Sequence, residues 1–210
     1  MVEQIEIPST IDAQPLPIQV RQWIEEARQR IEAFQDRWEK NRIEQFVAAD
    51  YELVYQALVW LLQTQRTNGR RFLEWGCGFA IVSALASSLE LDAIGIESES
   101  ELLAQGRKTI AQWDVRIELV HGNFLPPGAE SLADDPTLPS LGHNVACGYA
   151  QTESQLDDYA IVYAYPWPGE DEFHVDVFDR FAAPDALLLL FCGPNDVRLW
   201  RKVPSLESRL

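Results

Sequence analysis

From Arg71 to Cys192, short apolar segments alternate with longer segments of helical periodicity. Five segments have the length and the aliphatic composition of buried strands: RFLEW, DAIGIE, RIELV, YAIVYAY and ALLLLFC. Three of the intervening segments are predicted to be helices: AIVSALASSL, ESESELLAQGRKTIAQW and DEFHVDVFDRFA. Short connections and apolar strands of this kind are typical of a mainly parallel sheet that helices cover on both faces. We therefore predict a doubly wound α/β domain over residues 70–210.

Local signals refine this domain. The helix after the second strand is predicted to begin at Ser98, with Glu101 as the second member of a capping box. Residues 125–156 are rich in Pro, Gly, Ser and Asp, which predicts a long loop with at most short helical turns. After the fifth strand only VRLWRKV has strand character, and Pro204 would end it. We therefore predict a sheet that is truncated after the fifth strand, with this segment at its edge.

The N-terminal third is predicted to be an extended arm, residues 1–17, followed by a two-helix extension, residues 18–69. Apolar residues at alternating spacings of four and three form one stripe on the first helix: Val20, Ile24, Ala27, Ile31, Phe34 and Trp38. The stripe also fits a coiled-coil seam, but its short length favours packing against the neighbouring domain. Asp50 is placed to cap the second helix, and Gly69 is predicted to follow it in the left-handed conformation.

Composition limits the classes of partner. The chain has 17 basic and 33 acidic residues, a formal net charge of −16, which disfavours nucleic acid and anionic membranes as partners. Neither the three cysteines nor the three histidines have the spacing of a metal site or a disulfide framework. The N-terminus lacks the pattern of a signal peptide, and the longest apolar run, 186–192, is too short to cross a bilayer. We expect a cytoplasmic protein with reduced cysteines.

The turn LEWGCGFA follows the first predicted strand of the sheet and opens a helix. Ligands of open parallel sheets bind beyond the carboxyl ends of the strands, and glycines let a ligand lie against bare backbone. A phosphate-binding P-loop is excluded because no Gly-Lys-Ser/Thr follows Gly78. A dinucleotide site is disfavoured because Ile81 replaces the third glycine and Glu74 would lie near the pyrophosphate. A cationic ligand without phosphate fits the turn better.

The spacing Glu-x-Gly-x-Gly-x-Ala in this turn resembles motif I of the class I S-adenosylmethionine-dependent methyltransferases. The resemblance extends over residues 72–192 and implies the strand order 3-2-1-4-5. It implies that Gly76 and Gly78 allow close approach of the methionine and ribose parts of the cofactor, and that Glu74 anchors the methionine amino end. At the ends of the next two strands, it implies that Glu97 binds the ribose hydroxyls and that Asn123 and Phe124 contact the adenine.

The segment Tyr165-Pro166-Trp167-Pro168 follows the fourth strand, and in this family the residues at that place border the transferable methyl group. It resembles the Asn-Pro-Pro-Tyr loop of the amino-group methyltransferases, but no Asn or Asp leads it. Tyr165 and Trp167 are predicted to form an aromatic wall for a flat or cationic acceptor, or else to close the end of the sheet. Four candidate bases follow at the start of the next helix, where we interpret them as solvated residues: Glu170, Asp171, Glu172 and His174.

The sequence therefore predicts methyl transfer from S-adenosylmethionine to a small-molecule or protein acceptor. The alternative is a methyltransferase-like module that binds or regulates without catalysis, which a truncated sheet would favour. A nicotinamide-dependent reductase is the least favoured interpretation, because the turn lacks the dinucleotide pattern.

Overall fold

The computed structural model describes residues 1–36, 46–129 and 145–204, and they build one seven-stranded sheet. The strands are β1 (Val2–Ile5), β2 (Arg71–Trp75), β3 (Asp92–Glu97), β4 (Ile117–His121), β5 (Ile161–Ala164), β6 (Leu187–Gly193) and β7 (Asp196–Lys202). Their order across the sheet is β1-β7-β6-β5-β2-β3-β4. Strands β2 to β6 are parallel to one another and lie in the order expected for the five predicted strands.

Helices cover both faces of this sheet, as predicted. They are α1 (Ile18–Gln35), α2 (Tyr51–Thr64), α3 (Ile81–Ser88), α4 (Ser100–Ile110) and α5 (Asp171–Phe181). One hydrophobic core joins α1, α2 and α3 to the sheet and includes Leu58, Leu85 and Leu189. A second core joins α5 to the opposite face and includes Phe178 and Leu188. No helix within the described ranges is long and apolar enough to cross a membrane.

The edge of the sheet differs from the prediction. β7 is not the edge strand, because it pairs antiparallel with both β6 and β1. Part of the predicted extended arm therefore forms β1. The pairing of Val2 with Lys202 places β1 at the outer edge of the sheet, where it runs parallel to β6. The ammonium group of Met1 lies 2.5 Å from the Asp179 carboxylate, which also pairs with Lys202. The predicted truncation is therefore wrong, since the N-terminus supplies the missing strand.

The apolar stripe of α1 is buried within the monomer, as the packing interpretation predicted. Five of its members are buried: Val20, Ile24, Ala27, Ile31 and Phe34. Trp38 lies outside the described residues. Trp23, which is not part of the stripe, stacks on Trp113 with 5.0 Å between ring centroids, and Trp113 donates a hydrogen bond to Glu26. This contact joins α1 to the chain just after α4.

Two of the three predicted helix boundaries need correction. The Asp50 cap is confirmed, because its Oδ1 accepts a hydrogen bond of 3.2 Å from the Leu53 amide. However, α2 ends at Thr64, and Gly69 does not have the predicted positive φ. The capping box at Ser98 does not form either, because α4 begins at Ser100 and Glu99 occupies the cap position. The Glu99 amide instead donates to the Glu97 carboxylate, 2.8 Å away, and this local acceptor replaces the cap.

The chain segment before Gly148 crosses directly over Gly122 at the end of β4. The amide of Asn123 donates to the Ala146 carbonyl, and the amide of Gly148 donates to the Asn123 carbonyl. A Cβ atom on Gly122 would lie 2.5 Å from the Gly148 Cα. Since both atoms belong to backbone that these hydrogen bonds fix, Gly122 is required for the crossing.

We expect Gly122→Ala to lower the free energy of unfolding by about 2 kcal/mol, the usual cost of overpacking a fixed site. Urea denaturation measures this change. Gly69→Ala is the matched control, because its Cβ would lie at an ordinary 3.7 Å from the Ala160 Cβ. Equal stability of the two variants would contradict the expectation.

Candidate functional site

A cavity of about 510 Å³ lies at the carboxyl ends of β2, β3, β4 and β5. The segment before α2 contributes Phe46, Val47 and Ala49 to its wall. All eight residues predicted for the cofactor and acceptor sides line it: Glu74, Gly76, Gly78, Glu97, Asn123, Phe124, Tyr165 and Trp167. The fold therefore brings these residues into one site, as expected for the carboxyl ends of neighbouring parallel strands. Their individual roles stay predictions.

The glycine turn at the end of β2 has the conformation that its glycines require. Gly76 and Gly78 have φ values of +68° and +51°, and Ala80, where many family members have glycine, has +58°. A Cβ on Gly76 would meet no atom within 4 Å, so bare backbone borders the cavity there. At Gly78 the close neighbour is Phe46, whose Cε2 would lie 2.9 Å from a Cβ. The backbone at Gly76 is thus the open part of the turn.

Glu74 is a buried carboxyl group, with only 4% of the residue exposed. Its Oε2 accepts hydrogen bonds from the Ser83 amide at 2.7 Å and the Ser83 hydroxyl at 2.5 Å, in the first turn of α3. Burial raises the pKa of Glu74 to about 8, although the bonds from Ser83 oppose the shift. Without a cationic ligand, Glu74 therefore holds its proton at neutral pH.

Two tyrosines lie near Glu74, and neither was predicted from the sequence to be part of the site. Tyr163 lies beside Glu74 in the register of β2 and β5, and Tyr51 begins α2. Burial, with the nearby Glu74 carboxyl, raises the pKa of both phenols. The Tyr163 hydroxyl is buried and has no hydrogen-bond partner within the described ranges, which costs about 1–3 kcal/mol. A polar group of a ligand in the cavity would remove that cost.

Glu97 connects the end of β3 to the glycine turn. Its Oε2 accepts a hydrogen bond of 2.7 Å from the Gly78 amide, and its Oε1 accepts the bond from Glu99 already described. Burial raises the pKa of Glu97, and these two backbone donors oppose the rise. Each carboxylate oxygen accepts more than one hydrogen bond, so Glu97 retains acceptor capacity towards the cavity.

At the end of β4, Asn123 and Phe124 have different surroundings. The Asn123 amide holds its own loop together, since Nδ2 donates to the Val145 carbonyl and Oδ1 accepts from the Leu125 amide at 3.0 Å. Contact with an adenine would therefore use the second lone pair of Oδ1. The Phe124 ring stacks on Trp75, with 5.0 Å between centroids, and Trp75 in turn donates to the Tyr149 hydroxyl.

The interpretation of the α5 residues as solvated is wrong for His174 and Glu170. His174 is 3% exposed and Glu170 is 5% exposed, and both line the cavity. Asp171 faces away to Arg198 on β7, with 2.7 Å between Oδ2 and Nη1. The helical spacing of Phe173, His174, Val177 and Phe178 could have revealed the burial, because it places all four on one side of α5.

The cavity is strongly acidic. Four carboxyl groups line it, from Glu74, Glu97, Glu99 and Glu170, and its described wall includes no lysine or arginine. Within the described parts of the chain, no group of His, Cys, Asp and Glu residues could hold a metal ion. A ligand with phosphate groups would bring negative charge among these acidic groups, with no compensating cation in the described wall, whereas a cationic ligand would be attracted and would favour ionisation of Glu74.

No family model matches the sequence, and no curated protein matches it significantly. Solved structures do match. The 16S rRNA methyltransferase RsmC of T. Thermophilus, bound to AdoMet and guanosine, is 13% identical with a TM-score of 0.51, over 80% of this chain and 45% of that one. The methyltransferase PaMTH1 of Podospora anserina, bound to S-adenosylhomocysteine, is 12% identical with a TM-score of 0.50, over 87% of this chain and 65% of that one. The chain thus spans less than two thirds of either protein. It has the fold of the class I S-adenosylmethionine-dependent methyltransferases.

Proposed function

We propose that this protein transfers a methyl group from S-adenosylmethionine to an acceptor, either a small molecule or a protein. The observation that carries the proposal is the cavity at the glycine turn, with four carboxyl groups and no described lysine or arginine in its wall. S-adenosylmethionine carries a sulfonium and an ammonium group and no phosphate, so it suits this charge. A nicotinamide dinucleotide would bring a pyrophosphate to the same carboxylates.

The residues at the site fit such a ligand. Gly76 offers bare backbone, and the Tyr163 hydroxyl, which has no partner among the described residues, can bond to a ligand beside Glu74. Glu74 and the glycines would hold the methionine end and Glu97 the ribose. Asn123 and Phe124 would contact the adenine.

When bound, the cofactor supplies a methyl carbon made electrophilic by a sulfonium sulfur. The chain contributes alignment and exclusion of water, which are the principal catalytic effects in such a displacement. Tyr165 and Trp167 would form the acceptor side of the cavity. A truncated sheet no longer favours the alternative of a non-catalytic module, because β1 completes the sheet.

The test is calorimetric titration with S-adenosylhomocysteine, with NAD as the control ligand. We expect micromolar binding of S-adenosylhomocysteine and none of NAD. Binding of NAD alone would overturn the proposal. Failure of both ligands to bind would also overturn it.

Binding is also expected to release a proton at pH 7.5. Glu74, with its pKa of about 8, is largely protonated before a ligand ammonium group arrives, and the positive charge then lowers this pKa. Titrations in buffers of different ionisation enthalpy measure the proton count. Glu74→Gln should bind without the release, and an unchanged release in this variant would assign the proton to another group.

A further inference from the structure

His174 occupies a rigid position in the wall of the cavity. It lies in the first turn of α5, shortly after the acceptor-side segment 165–168. Its ring stacks on Phe124 at 5.1 Å and lies 5.8 Å from the ring of Trp75, and Phe173 packs edge-on at 5.9 Å. A histidine enclosed by three aromatic rings has little freedom to rotate, so its two nitrogens have fixed surroundings.

The hydrogen bond at Nδ1 determines the tautomer. Nδ1 lies 2.8 Å from the Glu170 carbonyl oxygen, which can only accept a hydrogen bond. The proton of the neutral ring is therefore on Nδ1, and Nε2 carries the lone pair. Nε2 has no hydrogen-bond partner in the part of the chain that the structure describes. Since His174 lines the cavity, Nε2 is the ring nitrogen left to interact with a ligand there.

The charge state of His174 follows from its neighbours. Burial lowers its pKa below the ordinary value of 6.5, whereas Glu170 and Asp171 on its own helix act in the opposite direction. Asp171 is itself paired with Arg198 of β7. The rings that face His174 from β2 and from the loop after β4, Trp75 and Phe124, do not titrate. At neutral pH the ring is thus uncharged and able to accept a proton.

We propose that His174 is the general base of the methyl transfer and that the acceptor is a flat, neutral aromatic compound whose nucleophile is a hydroxyl group. This inference rests on the proposed function. The O–H bond of the acceptor breaks and its proton moves to Nε2. The acceptor oxygen forms a bond to the methyl carbon, whose bond to sulfur breaks with the electron pair left on sulfur. The imidazolium then releases the proton to solvent, and a methyl ether is the product.

The chemistry of the site selects this acceptor class. An anionic acceptor, such as a carboxylate or a phenolate from solution, would be repelled by the carboxyl groups of the cavity. A neutral amine already has a nucleophilic lone pair and needs no base before it attacks. A neutral hydroxyl group does need one, because its oxygen becomes a strong nucleophile only as the proton leaves. The aromatic rings of Tyr165 and Trp167 suit a flat ring.

The first test measures methylation of three neutral probes: phenol, 4-methylphenol and 2-naphthol. We expect at least one to be methylated on oxygen, and 4-hydroxybenzoate, which is anionic, not to be. His174→Gln should lower kcat/KM about 100- to 10,000-fold, the usual contribution of a general base, with S-adenosylhomocysteine affinity unchanged. His121→Gln is the matched control, because His121 is exposed and its ring, among the described residues, bonds to the Ser98 carbonyl. It should retain the rate of the unsubstituted protein.

The second test separates a base from a structural residue. The rate of the unsubstituted protein should rise with pH and reach half of its maximum below pH 6.5, and this rise should be absent in His174→Gln. Ring ¹⁵N NMR of the unsubstituted protein with S-adenosylhomocysteine should show Nδ1–H, with an Nε2 signal that shifts when 4-methylphenol is added. This measurement applies even if the glutamine variant does not fold.

The outcomes distinguish this inference from the proposed function. If S-adenosylhomocysteine binds but no probe is methylated, or if Nε2 does not respond to the phenol, the inference on the acceptor and on His174 is overturned and the proposed function is not. An undiminished rate in His174→Gln likewise overturns the role of this residue alone. If S-adenosylhomocysteine does not bind to the unsubstituted protein, the proposed function itself fails.

Discussion

Replacing Gly76 with leucine is expected to weaken binding of S-adenosylhomocysteine at least about 100-fold, which corresponds to about 2.7 kcal/mol. A side chain at this position would extend from the glycine turn into open space, since no atom lies within 4 Å of the Cβ position. Gly76 lines the cavity, so the leucine would occupy volume that the ligand needs. Calorimetric titration measures the affinity.

Gly76→Ala is the matched control, because it introduces the same backbone strain with a much smaller side chain. The φ of +68° costs an L-residue about 1–2 kcal/mol, so both variants should lose similar stability in urea denaturation. Only the leucine should remove the binding. A leucine variant that folds and binds as tightly as the unsubstituted protein would show that the ligand does not lie on this turn.

The free energy of unfolding of the ligand-free protein is expected to fall by about 2 kcal/mol between pH 6.5 and pH 8. Glu74 has a folded-state pKa of about 8 against an ordinary value of 4.5, so the folded state binds the proton more tightly. The resulting stability is fully present below pH 4.5 and is lost as the pH rises through 8, at no more than about 1.4 kcal/mol per pH unit. Glu97 contributes with the same sign.

An opposing contribution from His174 is small over most of this pH window. The lowered pKa of His174 reduces stability mainly below about pH 7, where an unfolded histidine with the ordinary pKa of 6.5 binds a proton that the folded ring does not. Urea unfolding at four pH values from 6.5 to 8 should therefore show the decline in the unsubstituted protein and a much weaker one in Glu74→Gln. Glutamine keeps an oxygen that can accept from Ser83. Glu52→Gln, on the surface and paired with Arg28, is the control that should retain the full decline. Parallel curves for all three proteins would show that Glu74 is ionised when folded.

The central strands could be predicted because each carries its own signal. RFLEW and DAIGIE are short apolar runs, and their predicted bounds match those of β2 and β3. β1 could not be predicted in this way. VEQI has two polar residues among four, and its place in the sheet depends on β7, at the other end of the sequence. The capping box failed for a related reason, because the Glu97 side chain competes for the amide at the start of α4.

The site residues that belong to a sequence motif could be predicted. Glu74, Gly76, Gly78 and Glu97 line the cavity because they end neighbouring parallel strands. Tyr163 and Phe46 could not be found, since their places depend on the register of β5 and on the path of the chain before α2. His174 was misjudged because an acidic helix start suggested solvent, whereas packing on Trp75 and Phe124 buries it.

The pairing of β1 with β7 also affects how the protein is made. On the ribosome, β1 is synthesised long before β7, its partner in the sheet. Until β7 emerges, the aliphatic strand β6 is the exposed edge of a growing sheet, and such edges associate with other chains. The pairing that closes this edge joins residues from opposite ends of the sequence, such as Val2 and Lys202. Contacts of such large sequence separation slow folding. Pairing of β1 with β7 is therefore expected to be the last step that completes the sheet.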